Sequence, residues 1–203
     1  MGSFGRSIAA EKNIFNNAAT TLVGIVQGIL CDGNLNNDEI KYLDSWLKQN
    51  SQIAATWPGD AVYARVRDVL SDGVITEEER NNLVEMLGKI TGSSGPSARV
   101  GPVINLGFDE YVQVKFPDRI FCFTGDFAYG SRPSCEEVTM KHGGMIHGSV
   151  IKSLDYLVVG GLGSPEWKNG SYGTKIEKAM EYKSNGAVIH IVHESQWVTS
   201  LGS

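Results

Sequence analysis

The 203-residue chain lacks any long apolar run. The longest candidate, Leu22 to Cys31, is broken by Gly24, Gln27 and Gly28, and a membrane-spanning helix needs ~20 apolar residues. No basic stretch leading into an apolar core opens the sequence, so no secretory leader is expected. Cysteine is scarce: there are three, Cys31, Cys122 and Cys135, none in a CxxC pair. An odd number argues against a disulfide framework. They read as reduced thiols, and the expected location is the cytoplasm, at the nucleoid if the source is bacterial. Cys122 lies inside an apolar strand pattern and reads as core. Signatures of catalysis are missing as well: there is no GxxxxGK[ST], no HExxH and no GxSxG. His142, His147, His190 and His193 have no ligand spacing with cysteines or carboxylates. A chain with no catalytic apparatus, no cofactor and no membrane partner is expected.

Positive charge is also in short supply. The net charge is −5. Residues 1–99 carry 9 basic and 12 acidic side chains, and residues 100–203 carry 9 and 11. Neither half is basic enough to coat nucleic acid non-specifically, so any phosphate binding must be local. The hydrophobic fraction of 41% and charged fraction of 20% are ordinary for a globular protein.

The stretch TGSSGPSARVGPV, residues 91–103, has neither helical nor strand period and reads as a linker. Three segments are expected: a helical unit at 1–90, a linker at 91–104 and an α/β unit at 105–203. In the first, Ile14, Ala18, Leu22, Ile25 and Ile29 recur at spacings of three and four. A second helix carries Ile40, Leu43 and Leu47. A third carries Ala61, Val62, Val66, Val69 and Leu70, with Pro58 suited to its first turn. A fourth carries Leu83, Val84, Leu87 and Ile90. Short connections suggest a small antiparallel bundle.

An internal repeat lies within this unit. DGNLNNDE (Asp32–Glu39) and DGVITEEE (Asp72–Glu79) both read Asp-Gly-x-apolar-x-x-acid-Glu. Gly33 and Gly73 suit chain reversals, while Asn36 with Glu39 and Thr76 with Glu79 suit helix N-caps with the glutamate three residues on. The competing reading is half of a calcium loop. With Asp32 at its fifth position, the first and third fall on Gly28 and Leu30. With Asp72 there, they fall on Asp68 and Leu70. The side-chain ligands are incomplete, so Asp32, Glu39, Asp68, Asp72 and Glu79 are weak metal candidates and capping is the expectation. The repeat resembles the helical TerB-like domains, in which acidic DG…E turns recur; that resemblance implies an interaction module.

The second unit alternates strands and helices. YVQVKF (Tyr111–Phe116) has period two, as a half-buried strand should. IFCFTG is a continuous apolar strand ending in Thr124-Gly125. Ser131 is a suitable N-cap, Pro133 fits a first helical turn, and Gly143-Gly144 is a stop. MIHGSV, DYLVVG and AVIHIV read as strands. GTKIEKAMEYKSNG reads as a helix with Ile176, Ala179 and Met180 inward, and ESQWVTSL as a short last helix with Trp197 in the core. The order strand–helix–strand–strand–helix–strand–helix implies a four-stranded parallel sheet flanked by helices, and hence an α+β two-domain chain.

Thr124-Gly125, Gly143-Gly144, GSVIKSLDYLVVG, GTKIEKA and Trp197 together resemble a BRCT domain over about residues 105–201, closest to those ending bacterial NAD-dependent DNA ligases. The loop GLGSPEWKNGSY departs from the pattern in its length and brings Trp167 and Lys168, a possible DNA contact with Trp167 as a stacking surface or a loop anchor. The resemblance implies a phosphate site at Thr124, Gly125 and Lys175, and Arg132 matches the arginine of BRCT domains that bind DNA 5′-phosphates. A hydroxyl, an unhindered N–H and two cations can converge on a dianion. The bland reading is a strand-end turn whose hydroxyl caps local backbone, with Lys175 solvated. Ligases transfer nucleotides through the lysine of a KxDG motif, which is absent here. The expected function is therefore an adaptor that grips a 5′-phosphorylated DNA end or nick and recruits an unknown protein partner through its helical unit. The alternative is a protein–protein module binding a protein or phosphopeptide, although phosphopeptide grooves generally need two BRCT copies.

Overall fold

The computed structural model describes residues 17, 20–91, 108–109, 111–162 and 173–202. Ile14 and Ala18, most of the linker stretch, and Trp167 and Lys168 lie outside the described residues. The first helix, α1 (residues 20–29), turns Leu22, Val26 and Ile29 inward. α2 (Asn37–Gln49) buries Ile40, Leu43 and Leu47. These stripes follow the three-and-four spacing because only one side of each helix meets the core. A one-turn helix, α3 (Ser51–Ala54), was not anticipated. α4 (Gly59–Val69) buries Ala61, Val62, Val66 and Val69, and Pro58 stands at its N-cap, just ahead of the first turn. α5 (Glu77–Thr91) buries Leu83, Leu87 and Ile90. α4 packs on both α2 and α5.

The two DG…E turns have matching hydrogen bonds. The Asp32 carboxylate accepts from the Asn34 N–H at 2.9 Å and the Asp72 carboxylate from the Val74 N–H at 2.9 Å. Glu39 accepts from the Asn36 N–H at 2.8 Å, while Asn36 Oδ1 accepts from the Glu39 N–H at 3.0 Å. Glu79 and Thr76 repeat this exchange. The acidic side chains are used as turn and cap acceptors, and Asp68 instead faces Arg65 at 2.8 Å. Both turns make the capping bonds expected of them. Among the described residues no three His, Cys, Asp or Glu side chains are grouped to hold a metal ion. Asn36→Ala is expected to lower stability by about 1 kcal/mol, read as a reduced urea midpoint with unchanged slope.

The remaining elements are β1 (Ile120–Thr124), α6 (Arg132–Lys141), β2 (Met145–Ile146), β3 (Tyr156–Val159), α7 (Thr174–Ser184), β4 (His190–His193) and α8 (Glu194–Leu201). The strands form one sheet in the order β2-β1-β3-β4, and every pair is parallel. Ser131 caps α6, accepting from the Ser134 N–H at 3.3 Å. Alternate residues of β1 divide the core. Phe121 and Phe123 join Val158, Val192 and Trp197 on one face. Cys122 joins Leu157, Val159 and Ile191 against Ile176 and Ala179 of α7 on the other.

Two expectations are corrected. Tyr111–Phe116 is not a strand of this sheet. Its alternation is real, since Val114 and Phe116 are buried and Tyr111 is exposed. The segment lays its side chains over the sheet rather than pairing its backbone along a strand: Phe116 stacks on Phe121 (ring centroids 5.5 Å), and the Lys115 N–H bonds the Tyr156 hydroxyl at 3.3 Å. Met180 is exposed rather than inward. It sits one position round the helix from the Ile176–Ala179 stripe that meets the sheet.

The two halves are not independent bodies joined by a tether. α4 packs against α8, and a single apolar cluster runs from Leu22, Val62 and Val66 through Trp57 and Tyr129 to Phe123 and Trp197.

Candidate functional site

β1 ends at Thr124, and the chain turns at Gly125 with φ = 87°. That backbone angle is open to glycine and strained for a side chain. Thr124 is largely buried, yet among the described residues its hydroxyl makes no hydrogen bond. The turn reading, in which the hydroxyl caps local backbone, is therefore not what the fold uses.

Two cations flank this threonine. Lys175, in the first turn of α7, donates from Nζ to the Phe123 carbonyl at 3.0 Å. Arg132, the first residue of α6, directs Nη2 at the Gly125 carbonyl at 3.5 Å. The carbonyls belong to the residues immediately before and after Thr124. Among the described residues neither cation is paired with a carboxylate, which is also true of Lys41, Arg67, Lys115, Lys152 and Lys178, whereas Lys48, Arg65, Arg80, Lys89, Arg119, Lys141 and Lys183 are paired. Both also reach the neighbouring Cys122: burial pushes its thiol pKa up, while Lys175 and then Arg132 pull it down. The four residues singled out from the sequence thus gather at the carboxyl end of one strand, where an open α/β sheet commonly receives ligands.

Residues 113–201 match the family model of the BRCA1 C Terminus (BRCT) domain. This part of the chain is a BRCT domain. A BRCT domain over these residues implies a phosphate- or protein-interaction module. No curated protein matches the chain.

Beside the proposed seat, the BRCT domain holds a buried acid that sequence reasoning missed. Glu194, the first residue of α8, is fully buried. Its carboxylate accepts from the Tyr129 N–H at 2.7 Å, the Gly161 N–H at 2.8 Å and the Trp57 indole N–H at 3.4 Å. Burial raises its pKa to about 7, opposed by backbone hydrogen bonds from Gly161, Tyr129 and Ala128. Next to it, His193 caps α8 through Nδ1, which accepts from the Ser195 N–H at 3.1 Å. Burial lowers the His193 pKa to about 4. Asp60 of α4 is held by the Ser195 hydroxyl, and burial raises its pKa too. In the sequence, Glu194 looks like an ordinary acidic residue in a first helical turn. The only available signal was that it precedes a core tryptophan by three positions, which places both on the inward side of α8.

Proposed function

We propose that the protein is a non-catalytic adaptor in DNA transactions whose BRCT domain binds a 5′-phosphorylated DNA end or nick. Thr124 and Gly125 would offer the hydroxyl and the N–H, and Arg132 and Lys175 the positive charge. The helical half, with its TerB-like repeat, would recruit a protein partner. The division at residues 91–104 and the likeness to ligase-type BRCT domains belong to the same reading.

One observation carries it: two cations without carboxylate partners bracket a threonine hydroxyl that has no partner among the described residues. Arg132 is exposed and Lys175 half-buried, so both can turn to an anion, and a terminal phosphate supplies up to two negative charges and three acceptor oxygens. The negative net charge fits a local grip rather than a coating.

The test is anisotropy of one labelled duplex, with and without its 5′-phosphate, at ~0.1 M salt, where screening is moderate. The phosphorylated duplex is expected to bind at least tenfold tighter. Lys175→Ala and Arg132→Ala should each erase about 10-fold or more of that preference, since a hydrogen bond to a charged group is worth about 1.5–3 kcal/mol. Parent protein indifferent to the phosphate, or variants that bind like the parent, would sink the reading and move the search to peptide and protein ligands.

A further inference from the structure

Three successive amides explain why a buried carboxylate belongs beside this seat. The Gly160 N–H bonds the Thr124 carbonyl at 2.9 Å, and the Leu162 N–H bonds the Asp126 carbonyl at 3.1 Å. These two bonds hold the carbonyls of the residues on either side of Gly125. The amide between them, Gly161, points the other way, to Glu194 at 2.8 Å. The second oxygen of Glu194 holds the Tyr129 amide, in the loop that runs from Gly125 to α6. One carboxylate therefore anchors both loops that shape the Gly125 turn.

The same carboxylate reaches across to the helical half. Trp57 donates its indole N–H to the Glu194 oxygen that takes Gly161. Its ring lies flush on the Gly161 backbone: a Cβ added there would sit 2.4 Å from the indole. Only glycine permits this approach, and the ring helps to seal Glu194 from water. Asp60, one turn of chain later, is held by the Ser195 hydroxyl on the same helix end.

We infer that Glu194 is a positioning residue for the phosphate seat, coupling the docked helical half to the orientation of Gly125. The inference rests on the proposed phosphate reading for its functional meaning, but the coupling itself concerns only this chain. Glu194 does not touch the ligand. It acts through Gly161 and Tyr129, and Trp57 brings the helical half into the same hydrogen-bond set. A partner that prised Trp57 away would loosen the seat, and a bound phosphate would favour the docked arrangement by the same factor.

The experiment uses the full chain and follows the Gly125 amide resonance in the parent, Glu194→Gln and Trp57→Phe. Gln keeps the shape but turns an NH₂ toward one of the amide donors. Phe keeps the ring over Gly161 but loses the indole N–H. The expected result is a displaced Gly125 resonance in both variants, larger for Glu194→Gln, with faster exchange of the Gly161 and Tyr129 amides. With it should come at least a fivefold loss of affinity for the 5′-phosphorylated duplex and unchanged binding of the unphosphorylated one. An unmoved Gly125 resonance in folded Glu194→Gln overturns the inference. If Glu194→Gln does not fold, Trp57→Phe decides by the same resonance. If the parent ignores the 5′-phosphate, the functional reading fails, while the Gly125 resonance still decides the coupling.

Discussion

Trp57→Ala is expected to destabilise the whole chain by about 3–5 kcal/mol, the range for removing a large buried aromatic. Trp57 joins the two halves through several contacts. It lies in the shared apolar cluster, edges onto His193 at 5.9 Å, covers Gly161 and donates to Glu194. Truncation removes the contacts of the ring and leaves a cavity in a place where α4 and α8 are already packed. It also takes one donor from a carboxylate that has no cation beside it and opens that carboxylate to water. Urea denaturation followed by far-UV circular dichroism reads the loss. Because one core serves both halves, they should unfold together in the parent and separate into two transitions in the variant. A loss below about 1 kcal/mol with a single unchanged transition would mean that Trp57 is not what couples the halves.

The second large effect is a pair of opposed pH dependences at neighbouring residues. Glu194 has an ordinary pKa of 4.5 and a folded value of about 7. The native state therefore holds a proton that the unfolded chain releases between those values. The stability it brings is complete below pH 4.5 and is lost as the pH rises to 7. His193 runs the other way, from an ordinary 6.5 to about 4 when buried. Its contribution is complete above pH 6.5 and is lost as the pH falls toward 4. Each displacement is worth about 3 kcal/mol, at about 1.4 kcal/mol per pH unit. The two slopes nearly cancel in the parent across pH 4.5–6.5.

Single substitutions should uncover them. Relative to the parent, Glu194→Gln is expected to gain stability steadily from pH 4.5 to 7. His193→Asn, which preserves a capping side chain, should gain relative to the parent as the pH falls from 6.5 to 4. The groups facing Glu194 are Asp60 from α4, Cys135 from α6 and Tyr129 from the loop before it, together with His193. Asp60 is raised by burial and adds a slope of the same sign as Glu194. Tyr129 and Cys135 are pushed further above neutrality and stay uncharged across this window. Urea midpoints measured from pH 4 to 7.5 test the pair. Variant-minus-parent differences that stay flat across the window would rule out a buried ionisable pair at this junction.

The candidate seat was legible because its parts are local. Thr124-Gly125 ends a continuous apolar strand, Arg132 follows an N-cap serine, and Lys175 opens a helix, so each residue type carried its position with it. The parallel order of the C-terminal elements was legible for the same reason: short apolar strands alternate with helices of period three-to-four, and parallel strands need crossovers. The DG…E turns were legible because a capping box spans only four residues. In each case the physics acts over one turn of helix or one strand.

Tyr111–Phe116 marks where that ends. Alternation says which side chains face inward, and they do, but it says nothing of whether the backbone pairs with a strand. Met180 failed for a related reason, since a helix stripe is only as wide as the surface it meets. The junction of the halves lay further out of reach. Trp57 and Glu194 are separated by 137 residues, and nothing near either one names the other. Glu194 is an unremarkable acid by composition and becomes a buried acceptor only when three distant donors surround it. Local pattern thus carried the secondary structure, the caps and the residue types of the seat. The packing of α4 on α8, and with it the burial that shifts Glu194 and His193 in opposite directions, arose from long-range contact, because desolvation depends on everything that closes over a group and not on its neighbours in the chain.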